Sequence, residues 1–109
     1  MLEVRNQPSI VVEVGAVFEV VVSSPVAVPF ELRLSWPESP VVEGNAIRFC
    51  GKRVEYPPVD VDGGEMTHRY RMEAVAPGQA RVVLSPMAAG GEVPCHPRCL
   101  EVVVGTAAS

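Results

Sequence analysis

The sequence predicts an all-β, immunoglobulin-like antiparallel β-sandwich of about seven strands, and three observations carry that prediction. Valine dominates a chain that is 48% hydrophobic, and β-branched residues suit a pleated, half-buried surface. Eleven prolines and nine glycines are spread along the 109 residues, so no helical run of ordinary length fits between them. Apolar and polar residues alternate with period two in segments separated by turn signals about every ten residues, the spacing of a sandwich.

The elements follow in order. Residues 1–8 carry too little pattern for a strand and are expected to fray, as are 105–109. Residues 10–14 and 17–22 flank Gly15 as consecutive strands, with Phe18, Val20 and Val22 on one face. After the 23–29 loop, Phe30, Leu32, Leu34 and Trp36 alternate with Glu31, Arg33 and Ser35, a clean strand closed by Pro37 and Pro40, with Trp36 as a core anchor. Residues 41–43 and 46–49 are weaker strands, and 54–56 add a short piece before Pro57-Pro58. From Met66 to Ala74, Met66, His68, Tyr70, Met72 and Ala74 share one parity while Thr67, Arg69, Arg71 and Glu73 share the other. Pro77-Gly78 then turns the chain into 80–84, which predicts a β-hairpin. A long loop, 85–98, precedes the last strand, 100–104, in which Leu100, Val102 and Val104 face one way. One domain spanning 1–109 is expected, because this length buries a core without metal or disulfide help.

Charge narrows the partners. A net charge of -4 and the lack of a Lys/Arg stripe exclude the counterion release on which nucleic-acid affinity rests. No apolar stretch approaches the ~20 residues that span a bilayer, and the start lacks a basic region followed by an apolar one. The expected compartment is the cytoplasm, or the outside after removal of an export signal.

The order of strand, glycine, strand, Ser-Pro loop, alternating strand, then Asp62-Gly63-Gly64, an aromatic-bearing strand, Pro77-Gly78 and a valine-rich strand resembles the chagasin-like inhibitors of papain-family cysteine proteases. The match runs over roughly residues 9–104 and is closest in 63–84. The resemblance implies an immunoglobulin-like sandwich that wedges three loops into a protease cleft, one with Asn-Pro-Thr-Thr-Gly, one Gly-rich and one with Arg-Pro-Trp. Here the Gly-rich loop is kept as Asp62-Gly63-Gly64. Ser24-Pro25-Val26-Ala27-Val28-Pro29 stands at the first loop with no Thr and no Gly, and Ser85-Pro86-Met87-Ala88-Ala89-Gly90-Gly91 follows the hairpin with no Arg-Pro-Trp. The expected function is therefore that of a protein-binding module acting through loops 23–29, 57–65 and 85–98, with Ser24, Pro25, Val26, Ala27, Asp62, Gly63, Gly64, Pro86 and Met87 as contact residues. The partner is a protein, with a papain-like cysteine protease as the specific version. A structural domain of a larger assembly is the alternative.

Cys50, Cys95 and Cys99 are odd in number, so at least one thiol lacks an intramolecular partner. Together with His96 they would match the Cys3His set that tetrahedral zinc accepts, although the usual duplicated knuckle pair is missing. A bridge from Cys50 to Cys95 or Cys99 would staple the long loop to the sandwich, closing about 45 residues and adding ~3 to 4 kcal/mol. Free thiols in a reducing compartment are the third reading. No cofactor and no catalytic residue are expected: His68 sits on the core parity, Ser23, Ser24 and Ser85 lack a Gly-flanked elbow, and Asp60, Asp62 and Glu65 read as a solvated turn rather than a calcium loop.

Overall fold

In a computed structural model, residues 1–25, 34–56, 65–88 and 97–106 are described. Among these residues ten strands are formed: β1 (Leu2–Val4), β2 (Ser9–Glu13), β3 (Val17–Pro25), β4 (Leu34–Ser35), β5 (Val41–Glu43), β6 (Ile47–Glu55), β7 (Glu65–Ala74), β8 (Gly78–Leu84), β9 (Met87–Ala88) and β10 (Arg98–Gly105). No helix occurs among the described residues. Two four-stranded sheets, β1-β3-β7-β6 and β2-β10-β8-β5, face each other, and β4 and β9 form a separate small pair. The sandwich is mixed rather than purely antiparallel, because β1 runs parallel to β3 and β2 parallel to β10.

Period-two alternation builds the core. Phe18, Val20 and Val22 from β3 and Tyr70, Met72 and Ala74 from β7 meet Ile10 and Val12 from β2, Val82 and Leu84 from β8, and Leu100, Val102 and Val104 from β10. Trp36 packs against this cluster while remaining partly exposed, and the fully buried aromatic anchors are Tyr70 and Phe18.

The predicted hairpin is the main point at which the fold departs from the sequence reading. β7 pairs with β3 and β6, whereas β8 pairs with β10 and β5, so the Pro77-Gly78 corner carries the chain from one sheet to the other. A reversal within a sheet and a reversal between sheets leave the same alternation in the two strands. They differ in where the corner's N–H groups go, and here the Val75 and Ala76 amides donate to the Ala46 carbonyl at 2.8 and 3.3 Å. The turns leading from β2 to β3 and from β5 to β6 make the same kind of crossing. These corners are stitched together: the Gly15 amide donates to the Ala74 carbonyl at 2.8 Å, and the Ala74 amide donates to the Ala16 carbonyl at 2.9 Å.

Two further departures have local causes. The pieces expected at 46–49 and 54–56 are one nine-residue strand, β6, interrupted by a bulge between Phe49 and Gly51. The extra residue, Cys50, shifts the parity, so Lys52 and Val54 fall opposite Tyr70 and His68 on the inner face. The long alternating strand expected at 30–36 lies mostly outside the described residues, and its end is the two-residue β4. Residues 2–4, expected to fray, pair instead with Phe18–Val20, and Val4 is fully buried. Three residues are too few to show a period, so that strand was hidden in the sequence. β6 is the edge of its sheet, and its bulge and inward lysine interrupt the row of unpaired amides that would otherwise invite another strand.

The corner end depends on glycine at 44. Its φ is +93°, and an added Cβ would stand 2.8 Å from the Gln79 carbonyl oxygen, whereas at Gly15 (φ +94°) a Cβ meets nothing within 4 Å. Gly44→Ala is therefore expected to cost about 1–3 kcal/mol of stability, measured by urea unfolding, and Gly15→Ala clearly less.

Candidate functional site

The crossing corners determine which strand termini gather at the other end of the sandwich. β7 runs from residue 65 to the corner and β8 runs back from it to residue 84, so both far ends lie at the opposite end. Register places the other termini beside them: Pro25 opposite Glu65, Glu55 opposite Thr67, and Leu84 opposite Arg98. The strands flanking segments 26–33 and 57–64 therefore enter and leave at one end, where β8 also stops and β10 begins.

Several expected contact residues can be located there. Ser24 and Pro25 complete β3 and pair with Met66 and Glu65. Met87, 66% exposed, lies in β9 opposite Ser35. Pro86 is buried where the chain passes from β8 to β9. Val26, Ala27, Asp62, Gly63 and Gly64 lie outside the described residues. Tyr56, which the sequence reading left out of the surface, follows β6 at this end and is 73% exposed. An exposed tyrosine and methionine are residue types enriched in interface cores. Position after a strand and before Pro57-Pro58 was the available signal for Tyr56.

Beneath this end, the inner face becomes polar. Tyr70 is completely buried, and its hydroxyl donates to the Pro37 carbonyl. The Lys52 ammonium donates to the Trp36 carbonyl at 3.3 Å, lies 5.4 Å from the Tyr70 ring centroid and stands 3.9 Å from the Glu38 carboxylate. These contacts pin residues 36–38 as a strap over the open end of the core. Burial, and then the nearby Glu38 charge, push the Tyr70 hydroxyl well above its usual range, so it is a permanent donor at neutral pH. His68 is buried beside the same cluster, as its parity predicts, and its pKa is held below the ordinary value by burial first and by Lys52 second, against an opposing contribution from Glu38.

The outer face of the β1-β3-β7-β6 sheet carries an ionic lattice. Arg69 bonds to Glu3 and Glu55 and stands 3.4 Å from the buried Glu19. Arg53 and Arg71 approach that same carboxylate at 3.8 and 3.9 Å. Hydrogen bonds from Arg69 and Arg5 hold the Glu3 carboxyl below its usual range. With each of these three arginines facing carboxylates, the lattice is a self-compensated surface.

The two described thiols lie apart. Cys50 is exposed and lines a depression on the arginine face with Arg53 and Arg71, whereas Cys99 is exposed on the outer face of the other sheet, opposite Val83. Facing sheets stand ~10 Å apart, too far for one metal or one S–S bond to join residues on their outer sides. Both are free thiols, and no Cys50–Cys99 bridge is formed. Cys95 and His96 lie outside the described residues. Among the described residues, no group of three or more His, Cys, Asp or Glu is arranged to hold a metal ion, and no helix is long and apolar enough to cross a membrane.

Because its folded-state pKa lies below the unfolded value of about 6.5, His68 takes up its proton more readily in the unfolded chain. Its contribution is fully present above that value and is lost as the pH falls through the folded pKa. Melting temperature should therefore drop on acidification from about pH 7 to 5, and His68→Gln should flatten the curve over that window. Identical pH profiles for the two proteins would contradict the assignment.

Comparison with known proteins gives a likeness of fold. No family model matches the sequence, and no curated protein matches it. The solution structure of amebosin superposes with a TM-score of 0.60 over 95% of this chain and 97% of amebosin, at 16% sequence identity.

Proposed function

We propose that the chain is a non-enzymatic protein-binding module that engages its partner through the end of the sandwich opposite the crossing corners, in its specific version as a diverged chagasin-like inhibitor of a papain-like cysteine protease. One observation carries this reading: the strand ends bordering segments 26–33 and 57–64 gather at a single end, with Tyr56 and Met87 exposed beside them. Alternate loops of such sandwiches cluster at their ends and can form a continuous surface on a rigid support. The strap held by Tyr70 and Lys52 supplies that rigidity, and the fold shared with amebosin is compatible with it. Val26, Ala27, Asp62, Gly63 and Gly64 belong to the proposed contact set on sequence grounds, together with Ser24, Pro25 and Met87.

In this reading the Gly-rich 62–64 segment approaches the protease cleft, because a backbone without side chains can enter a narrow groove. The Tyr56 ring and the Met87 side chain provide apolar contact at the rim.

A second reading is favoured by a different surface. Val11 (78% exposed), Val41 (59%) and Val103 (40%) lie on the β2-β10-β8-β5 sheet and would suit a structural domain that packs into a larger assembly. Gel filtration separates the two, since packing requires self-association or an obligate partner.

Inhibition assays against a panel of papain-like proteases test the leading reading. Competitive inhibition is expected, weakened at least about tenfold by Tyr56→Ala or by replacing Gly63 and Gly64, a loss of about 1.4 kcal/mol in binding. Absence of inhibition across the panel would remove the protease version.

A further inference from the structure

The flank of the sandwich below the proposed binding end holds a cleft of about 320 Å³ with an unusual lining. It forms where the chain leaves β1 and crosses to β2, between the end of β3 and the start of β10. Val21 and Val22 give it an apolar wall, and Arg5 and Arg98 contribute two cations. Among the described residues, no Asp or Glu lines it. Arg5 is already paired with Glu3 at 3.2 Å across an exposed contact, but Arg98 has no ion pair among the described residues. The terminal nitrogens of Arg98 donate to backbone carbonyls instead, to Cys99 at 2.8 Å and to Gln7 at 2.5 Å.

Two buried donors in this lining lack acceptors. The Trp36 Nε1–H and the Arg98 Nε–H are both buried and make no hydrogen bond. Unsatisfied buried N–H groups are rare because each loses its water without compensation, and a half-buried guanidinium without a counter-ion adds to that cost. Here two such groups and an uncompensated cation border one cavity. A carboxylate on Arg98 would supply the missing counter-charge and an acceptor for its Nε–H.

We propose that this cleft binds a small carboxylate carrying an apolar group, with the carboxylate on Arg98 and Arg5 and the apolar part against Val21, Val22 and Trp36. Guanidinium accepts a carboxylate in a fork-to-fork pair, which favours this anion over a spherical one. The shared chemistry admits two sources, a free aliphatic monocarboxylic acid or the carboxyl terminus of a partner chain. Asn6 and Ser23 at the rim offer further polar contacts to either. The inference does not rest on protease binding, and either can fail alone.

Trp36 is the single tryptophan of the chain, so its indole N–H gives one isolated resonance at the site. Titration of the ¹⁵N-labelled protein with hexanoate tests the free acid, and titration with N-acetyl-leucine tests a chain terminus. 1-Hexanol and N-acetyl-leucine amide serve as neutral controls at equal ionic strength. A saturable shift of the indole N–H is expected with a carboxylate at up to about 20 mM, the range of a small-ligand site, and not with its neutral analogue. Movement with hexanoate assigns a free acid, and movement with N-acetyl-leucine alone assigns a chain end. Arg98→Lys, which keeps the charge and loses the fork, should weaken binding about tenfold, and Arg5→Gln about threefold. If Arg98→Lys fails to fold, Arg5→Gln still decides. An indole resonance unmoved by both carboxylates, moved equally by the neutral analogues, or moved with unchanged affinity in the folded variants would overturn the proposal.

Discussion

The stitching of the inter-sheet corners is the constraint from which the remaining architecture follows. Amides of Gly15, Ala74, Val75 and Ala76 donate to carbonyls of neighbouring corners rather than to their own strands. That arrangement lets the chain change sheets repeatedly without leaving buried amides unpaired. Once the corners occupy one end, strand length delivers the ends of β3, β6 and β8 and the starts of β7 and β10 to the other. The termini that border the proposed binding surface are thus gathered by topology, before any side chain is considered.

The parts of the fold that were legible in the sequence are those in which burial is one-sided. Phe18, Val20 and Val22, the 66–74 parity and Leu100, Val102 and Val104 all point inward as their alternation implies. The pairing of strands was not legible, because Met72 and Val82 bury equally well whether their strands are neighbours or lie in facing sheets. The Cys50 bulge broke the period in mid-strand and split β6 into two apparent pieces. At the proposed surface, sequence names Met87 and the ends of the three segments but not the exposed Tyr56, and it includes Pro86, which is buried. The orphaned donors of Trp36 and Arg98 depend on tertiary placement and leave no trace in residue order.

Polar groups in the interior are concentrated toward the recognition end. Lys52, His68 and Tyr70 face the core where the strap of residues 36–38 crosses it, while the rest of the core cluster is apolar. A charged lysine on an inner face is tolerated because it lies at the sheet edge, donates to a carbonyl and rests on an aromatic ring. The bonds from Lys52 to Trp36 and Glu38 and from Tyr70 to Pro37 fix the strap, so the support of the proposed surface and the expected pH sensitivity of the fold share one cluster.

Distances between spin labels give the most direct test of the one-ended arrangement. In a background with Cys50, Cys95 and Cys99 replaced by serine, labels would be placed at Tyr56→Cys with Met87→Cys, and at Tyr56→Cys with Val75→Cys. Strands rise about 3.3 Å per residue, so the first pair should lie within about 20 Å and the second about 30 Å apart. The reverse order, or equal distances, would mean that the recognition segments do not share an end.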